Sequence, residues 1–156
     1  MRRNQGFTLV ELMVTLAVFG ILLFMGVPLT RAWVDSSYQR EAAGQLQQGL
    51  SRARATALRN QGGVIDAGPA AVLCRSGQTL NLFSVAKGGA INCSASSGAL
   101  WTSSLPGSPT LTASGSTVTC VAYNSRGLPV EGGSSCAVNT IAVVVGSEGA
   151  LDVPLI

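Results

Sequence analysis

GFTLVELMVTLAVFGILLFMGVPLT, residues 6–30, decides how the rest of the chain is read. From Phe7 to Leu29 it runs for 23 residues in which Glu11 is the single ionisable side chain. Coiled as an α-helix rising about 1.5 Å per residue, it reaches roughly 35 Å, enough to cross a bilayer core. Arg2 and Arg3 stand before it, so the positive-inside rule keeps the N-terminus in the cytoplasm and carries the residues after Thr30 across the membrane. A cleaved secretory signal fits less well, because its apolar region runs about 7–15 residues and ends at a small-x-small site. GVPLTRAW, residues 26–33, offers no such site. Glu11 is the anomaly, since an ionised side chain in lipid costs a few kcal/mol.

Beyond the apolar segment, a chain of 156 residues has room for one small globular unit. Charged residues make up 11% and hydrophobic ones 47%, with 19 glycines, which reads as an exported, β-rich head rather than a charge-covered cytosolic enzyme. The chain has no histidine, which removes the commonest general base and the commonest transition-metal ligand. The net charge of +3 falls to +2 once Arg2, Arg3 and Glu11 are set aside, a balance that does not by itself predict a nucleic-acid partner.

GFTLVEL, with a short basic leader, Gly6, Phe7 and a glutamate four residues later, resembles the class III signal of type IV pilins and type II secretion pseudopilins. The resemblance implies cleavage by a prepilin peptidase on the cytoplasmic side between Gly6 and Phe7, N-methylation of the new Phe7 amine, and retention of the apolar helix. Glu11 then has a physical reading. In a filament core its carboxylate can pair with the terminal amine of a neighbouring subunit, and a buried pair costs far less than a lone buried charge. The alternative is an interfacial acid shallow enough to reach headgroups. Pro28 removes one helix hydrogen bond and allows a kink or a locally melted stretch; the resemblance implies a role for it in subunit packing.

From Arg31 to Asn60 the pattern stays helical, with Tyr38, Ala42, Leu46, Leu50, Ala53 and Ala57 on one face, suited to packing on a sheet. Gln45, Gln48, Arg52 and Arg59 are expected on the opposite side, and the two glycines of NQGG, residues 60–63, are expected to stop the helix. Beyond it, AAVLC, TLNLFSVA, ALWTS, STVTCVAY, NTIAVVV and the final ALDVPLI read as strands. Pro154 places the last at an edge or a frayed end. SASSG and LPGSPT are expected as exposed loops. The organisation is therefore a leader at 1–6, a transmembrane and assembly helix at 7–30, a periplasmic amphipathic helix at 31–63 and a β-rich head at 64–156.

Cys74, Cys93, Cys120 and Cys136 fall where disulfides persist. Three pairings are possible. The sequence-local pair Cys74 with Cys93 and Cys120 with Cys136 is favoured, each closing a loop worth about 3 kcal/mol of chain entropy. No C-x-x-C spacing supports structural zinc, and no metal or other cofactor is expected.

LQQGLSRARATALRNQ (46–61), VLCRS (72–76) and NSRGLP (124–129) resemble the GspH/FimT group of minor pilins and pseudopilins, which includes FimU-like proteins. The resemblance implies an α+β, type IV pilin-like fold, a long helix packed on an antiparallel β-sheet head, and assembly rather than catalysis. The implied partners are other pilins or pseudopilins, the prepilin peptidase, the inner-membrane assembly platform and membrane lipid. Between the two machines, the LCRS region leans toward a minor pilin that helps initiate or cap a type IV pilus, with a GspH-type pseudopilin of type II secretion as the alternative. DNA uptake is a further reading: Arg52, Arg54 and Arg59 offer cations for phosphates, yet Arg54 falls about 200° around the helix from Arg52. GSEGALDVPLI carries Glu148 and Asp152 and no arginine. Enzymatic candidates are poor. Asp66, Glu131 and Asp152 lack any feature that brings them together, and Trp33 and Trp101 read as an interface anchor and a head-packing residue.

Overall fold

A computed structural model describes residues 7–65, 67–95, 97–132 and 136–155. One helix, α1 (Leu9–Arg59), precedes nine strands, β1 (Pro69–Ser76), β2 (Thr79–Ser84), β3 (Trp101–Ser104), β4 (Thr110–Ala113), β5 (Ser116–Thr117), β6 (Cys120–Asn124), β7 (Pro129–Val130), β8 (Ile141–Val144) and β9 (Leu151–Val153). Contacts divide the chain into two units, one reaching Val34 and one beginning at Asp35. The first is helical backbone that continues through Pro28.

In the second unit the helix packs on two antiparallel sheets, ordered β3-β2-β1-β6-β7 and β5-β4-β8-β9. Ala42, Leu46, Leu50, Ala53 and Ala57 are buried in one core with Leu73, Leu80, Leu82, Val121 and Tyr123 of the first sheet and Leu111, Ile141, Val143 and Val153 of the second. The small residues on this helix face let it lie close. A Cβ built on Gly49 meets Trp101 at 3.0 Å and Leu73 at 3.1 Å. Arg75, whose guanidinium pKa is lowered by burial, ties the two sheets by donating to Pro109 O at 2.6 Å just before β4.

Along the helix the structure departs from the sequence pattern at four points. Tyr38 is 41% exposed, whereas its neighbour Gln39 is buried, because the Gln39 amide donates to Val143 O in β8 and to Gly149 O in the connection that leads into β9. Gln45 and Arg52 do not face away from the head. Gln45 accepts a hydrogen bond from Ser103, and the Arg52 guanidinium lies 5.1 Å from the Trp101 ring centre, so both border β3. The helix stops on Asn60 rather than on a glycine: Asn60 takes φ +45 and its amide closes a ring with the Val64 N–H and C=O. Gly62 serves another purpose, since a Cβ there would collide with Val85 O.

STVTCVAY is not one strand. Val118 N–H donates to Leu111 O in the second sheet while Thr119 O accepts from Arg75 N–H in the first, so the chain changes sheets between those two residues. LPGSPT is likewise not an exposed loop throughout, because Leu105 is 1% exposed, Pro109 is fully buried and Thr110 opens β4. NSRGLP is the turn joining β6 to β7. Asn124 Oδ1 accepts from the Arg126 and Leu128 amides, and Gly127 supplies the positive φ of 73 that closes the turn. β9 is the edge strand of its sheet, with Pro154 just past its end.

Candidate functional site

The candidate site is the first turn of α1 and the apolar surface beyond it. Thr8 precedes the helix and its Oγ1 accepts the Glu11 N–H at 3.3 Å, while Thr8 O accepts the Leu12 N–H at 3.2 Å. Thr8 is therefore the N-cap and Glu11 the third helical residue, the T-x-x-E spacing of a capping box. An acid in the first turn also faces the positive end of the helix dipole, worth about 0.3–1 kcal/mol. The capping role of Thr8 is legible in the residues TLVE but is hidden by the longer apolar run in which they sit.

Among the described residues of this unit, nothing covers the helix around that turn. Phe7 is 81% exposed and Phe24 is 88% exposed, and the apolar side chains between them point outward on every side. A helix apolar all round demands lipid or neighbouring helices. Its hydroxyls add no unmet polarity, because Thr15 donates to Leu12 O and Thr30 to Gly26 O, each at 2.9 Å. The stretch is long and apolar enough to span a membrane. Gly6, the residue before the expected cleavage point, lies outside the described residues, as does Asp66.

The other suggested residues are dispersed. Arg52 and Arg59 line a shallow groove with Trp101, Leu82 and Leu100, whereas Arg54 lies on another side of the helix, where a Cβ on Gly127 would come within 3.2 Å of it. Glu131 follows β7 in one sheet and Asp152 sits in β9 of the other. Trp33 is 75% exposed, and Trp101 packs partly buried against the main core. Among the described residues, no group of three His, Cys, Asp or Glu side chains is placed to hold a metal ion.

The cysteines are joined as Cys74–Cys93 and Cys120–Cys136. Both bridges lie in a second, smaller core on the face of the first sheet that carries Val72, Cys74, Cys120 and Ala122. Phe83 and Val85 complete it, with Ile91, Cys93, Val130 and Cys136 packed against it.

Tyr123 is a structural residue that the sequence pattern does not single out. Fully buried, it donates its phenol proton to Leu155 O at 2.9 Å, tying the C-terminal segment to the core. Burial pushes its pKa up from 10.0 to about 12, and Arg54 acts in the opposite sense. Because the folded value lies above the unfolded one, the stabilisation is complete below about pH 10 and is lost as pH rises through about 12. Between those limits the wild-type melting temperature is expected to fall more steeply than that of Tyr123→Phe, which starts lower at neutral pH by roughly 1 kcal/mol for the lost hydrogen bond. Parallel pH profiles for the two proteins refute this reading.

Residues 1–27 match the family described as the prokaryotic N-terminal methylation motif. No curated protein and no solved structure matched the chain. The motif and the apolar helix together make the N-terminal segment type IV pilin-like, of the general pilin or pseudopilin kind. The motif implies processing by a prepilin peptidase and assembly with other pilins, and with the helix it fits an inner-membrane anchored protein.

Proposed function

We propose that the protein is a non-catalytic minor pilin, FimT- or FimU-like, that enters a type IV pilus raised from the inner membrane and helps to initiate or cap it. Cleavage between Gly6 and Phe7 frees the Phe7 amine for methylation, residues 7–30 hold the subunit in the membrane until it is extracted, and the head from residue 64 lies in the periplasm. Glu11 pairs with the terminal amine of a neighbour, while Pro28 allows the helix to adapt as subunits pack. One observation supports the reading: an apolar helix exposed on every side, with a glutamate in its first turn. Heterologous contacts between such helices build open helical filaments.

Mass spectrometry of filaments sheared from the cell surface, compared with the membrane fraction, tests it. A peptide beginning at methylated Phe7 is expected in both fractions. The same peptide confined to the membrane removes the pilus reading and favours a GspH-type pseudopilin of type II secretion, while an unprocessed N-terminus removes both.

A further inference from the structure

The two disulfides are neighbours across one strand pair. Cys74 of β1 and Cys120 of β6 are register partners. The adjacent residues Arg75 and Thr119 are hydrogen-bonded through Arg75 N–H and Thr119 O at 2.7 Å, so Cys74 and Cys120 occupy the non-hydrogen-bonded position of the antiparallel ladder. At such positions the Cα atoms approach to about 4.5 Å with side chains on the same face. That spacing is within the range a disulfide spans. Burial separates the four sulfurs into two kinds. Cys74 is 0% and Cys120 7% exposed, whereas their partners Cys93 and Cys136 lie in loops and are partly exposed.

We propose that this cluster is a disulfide-exchange site, a place where a dithiol reductant opens one bridge and the protein re-forms a third pairing, Cys74–Cys120. The reductant's thiolate attacks Sγ of the partly exposed Cys93, forming a mixed disulfide and expelling the buried Cys74 thiolate. That thiolate attacks Cys120 Sγ. The Cys74–Cys120 bond forms, the Cys120–Cys136 bond breaks, and Cys136 leaves as a thiolate that takes up a proton. The reductant's second thiol resolves the mixed disulfide and leaves Cys93 as a thiol. Two electrons and two protons pass from the dithiol, so a protein with two disulfides becomes one with a single disulfide and two thiols. The entry point through Cys136 is equivalent and expels Cys120 first. In either case the buried thiolate is released beside the remaining bridge, and one reduction event unfastens both loops from the sheet. Ile91, Cys93, Ala95 and Cys136 pack against the smaller core, so exchange uncovers apolar surface on that face of the first sheet.

The test uses the full-length chain in detergent, treated with limiting dithiothreitol, quenched with acid, alkylated with iodoacetamide and mapped by fragmentation of non-reduced peptides. The dominant two-thiol species is expected to carry label on Cys93 and Cys136, with Cys74 linked to Cys120. Label confined to the Cys74 and Cys93 pair, or to the Cys120 and Cys136 pair, overturns the proposal. A second measurement is independent of reduction. The double variant Cys93→Ser, Cys136→Ser, oxidised in air, is expected to contain no titratable thiol because Cys74 and Cys120 have joined. Two free thiols in that variant, with the wild-type far-ultraviolet circular dichroism spectrum, overturn the proposal as well.

Discussion

Replacing Glu11 with alanine is expected to leave the chain inserted in the membrane and cleaved before Phe7, yet to lower its abundance in sheared filaments by at least about tenfold. Two roles are separated in this way, the cap seen at the start of the helix and the proposed pairing with a neighbour's amine. As the third residue of the helix, with its amide bound by Thr8, Glu11 contributes to a local cap that forms in a single subunit. Losing an acid from the first turn costs about 0.3–1 kcal/mol, which a helix of 51 residues tolerates without unwinding. As a charge in an otherwise apolar surface it would, on the proposed pairing, gain a second partner only in the assembled state. A subunit left in lipid keeps the carboxylate without a counter-charge, and docking beside a free amine removes that penalty. The neighbour's amine then loses its partner when the carboxylate is deleted, and uncompensated buried charges cost about 3–5 kcal/mol. Quantitative mass spectrometry of the Phe7 peptide in membrane and filament fractions reads the ratio. Glu11→Gln isolates charge from cap. It retains the capping geometry and is expected to fail in assembly as alanine does. Filament incorporation of Glu11→Gln at wild-type levels refutes the pairing and leaves the cap as the whole role of the residue.

The helix and its membrane-length surface are legible because the relevant signal is continuous in the sequence: no residue from Leu12 to Leu29 is charged. Seven of the nine strands fall in stretches legible for a similar reason. Runs such as AAVLC and TLNLFS are β-branched or aliphatic and bounded by glycine, serine or proline. The elements that stay hidden depend on contacts distant in sequence. TLTA of β4 and the two residues of β7 are too short or too polar to read as strands, and their strand character comes from pairing with β8 and with β6 rather than from their own composition. The change of sheet at Val118 is invisible because alternation continues unbroken through it. Gln39 is polar and so reads as exposed, yet two backbone carbonyls from residues about a hundred positions away satisfy its amide. The candidate site is plainer. Glu11 stands out as a single charge against an apolar background, while Thr8 does not, because its hydroxyl acts through geometry that exists only when the helix has a defined start.

The largest loss of stability is expected from Leu46→Ala, about 3 kcal/mol within the roughly 2–5 kcal/mol span of buried leucine truncations. Leu46 is 1% exposed and belongs to the core that the helix shares with both sheets. It lines a narrow space with Leu73 and Leu80 of the first sheet and Leu111 and Ile141 of the second. Collapse around the shortened side chain is hindered from two directions. The first sheet is held by the β1–β6 ladder and both disulfides, and the second by the Gln39 hydrogen bonds and the β4–β8 ladder. A site that cannot relax keeps its cavity, and cavity volume adds to the lost transfer energy. For the head this corresponds to a melting temperature lower by roughly 10–20 °C. Near-ultraviolet circular dichroism of the oxidised full-length chain in detergent measures it. Leu58→Ala is the internal control: that side chain is on the same helix but 55% exposed, so its melting temperature is expected within about 2 °C of wild type. Equal losses in the two variants show that this helix face is not the one packed on the sheets, whereas a large loss at Leu46 alone shows that the part of α1 after Val34 is bound to the head through this seam. A helix bound in that way carries force applied along its axis into the sheets through Leu46 and its neighbours. Leu46→Ala is therefore expected to weaken the head's attachment to α1 without altering the first turn around Glu11.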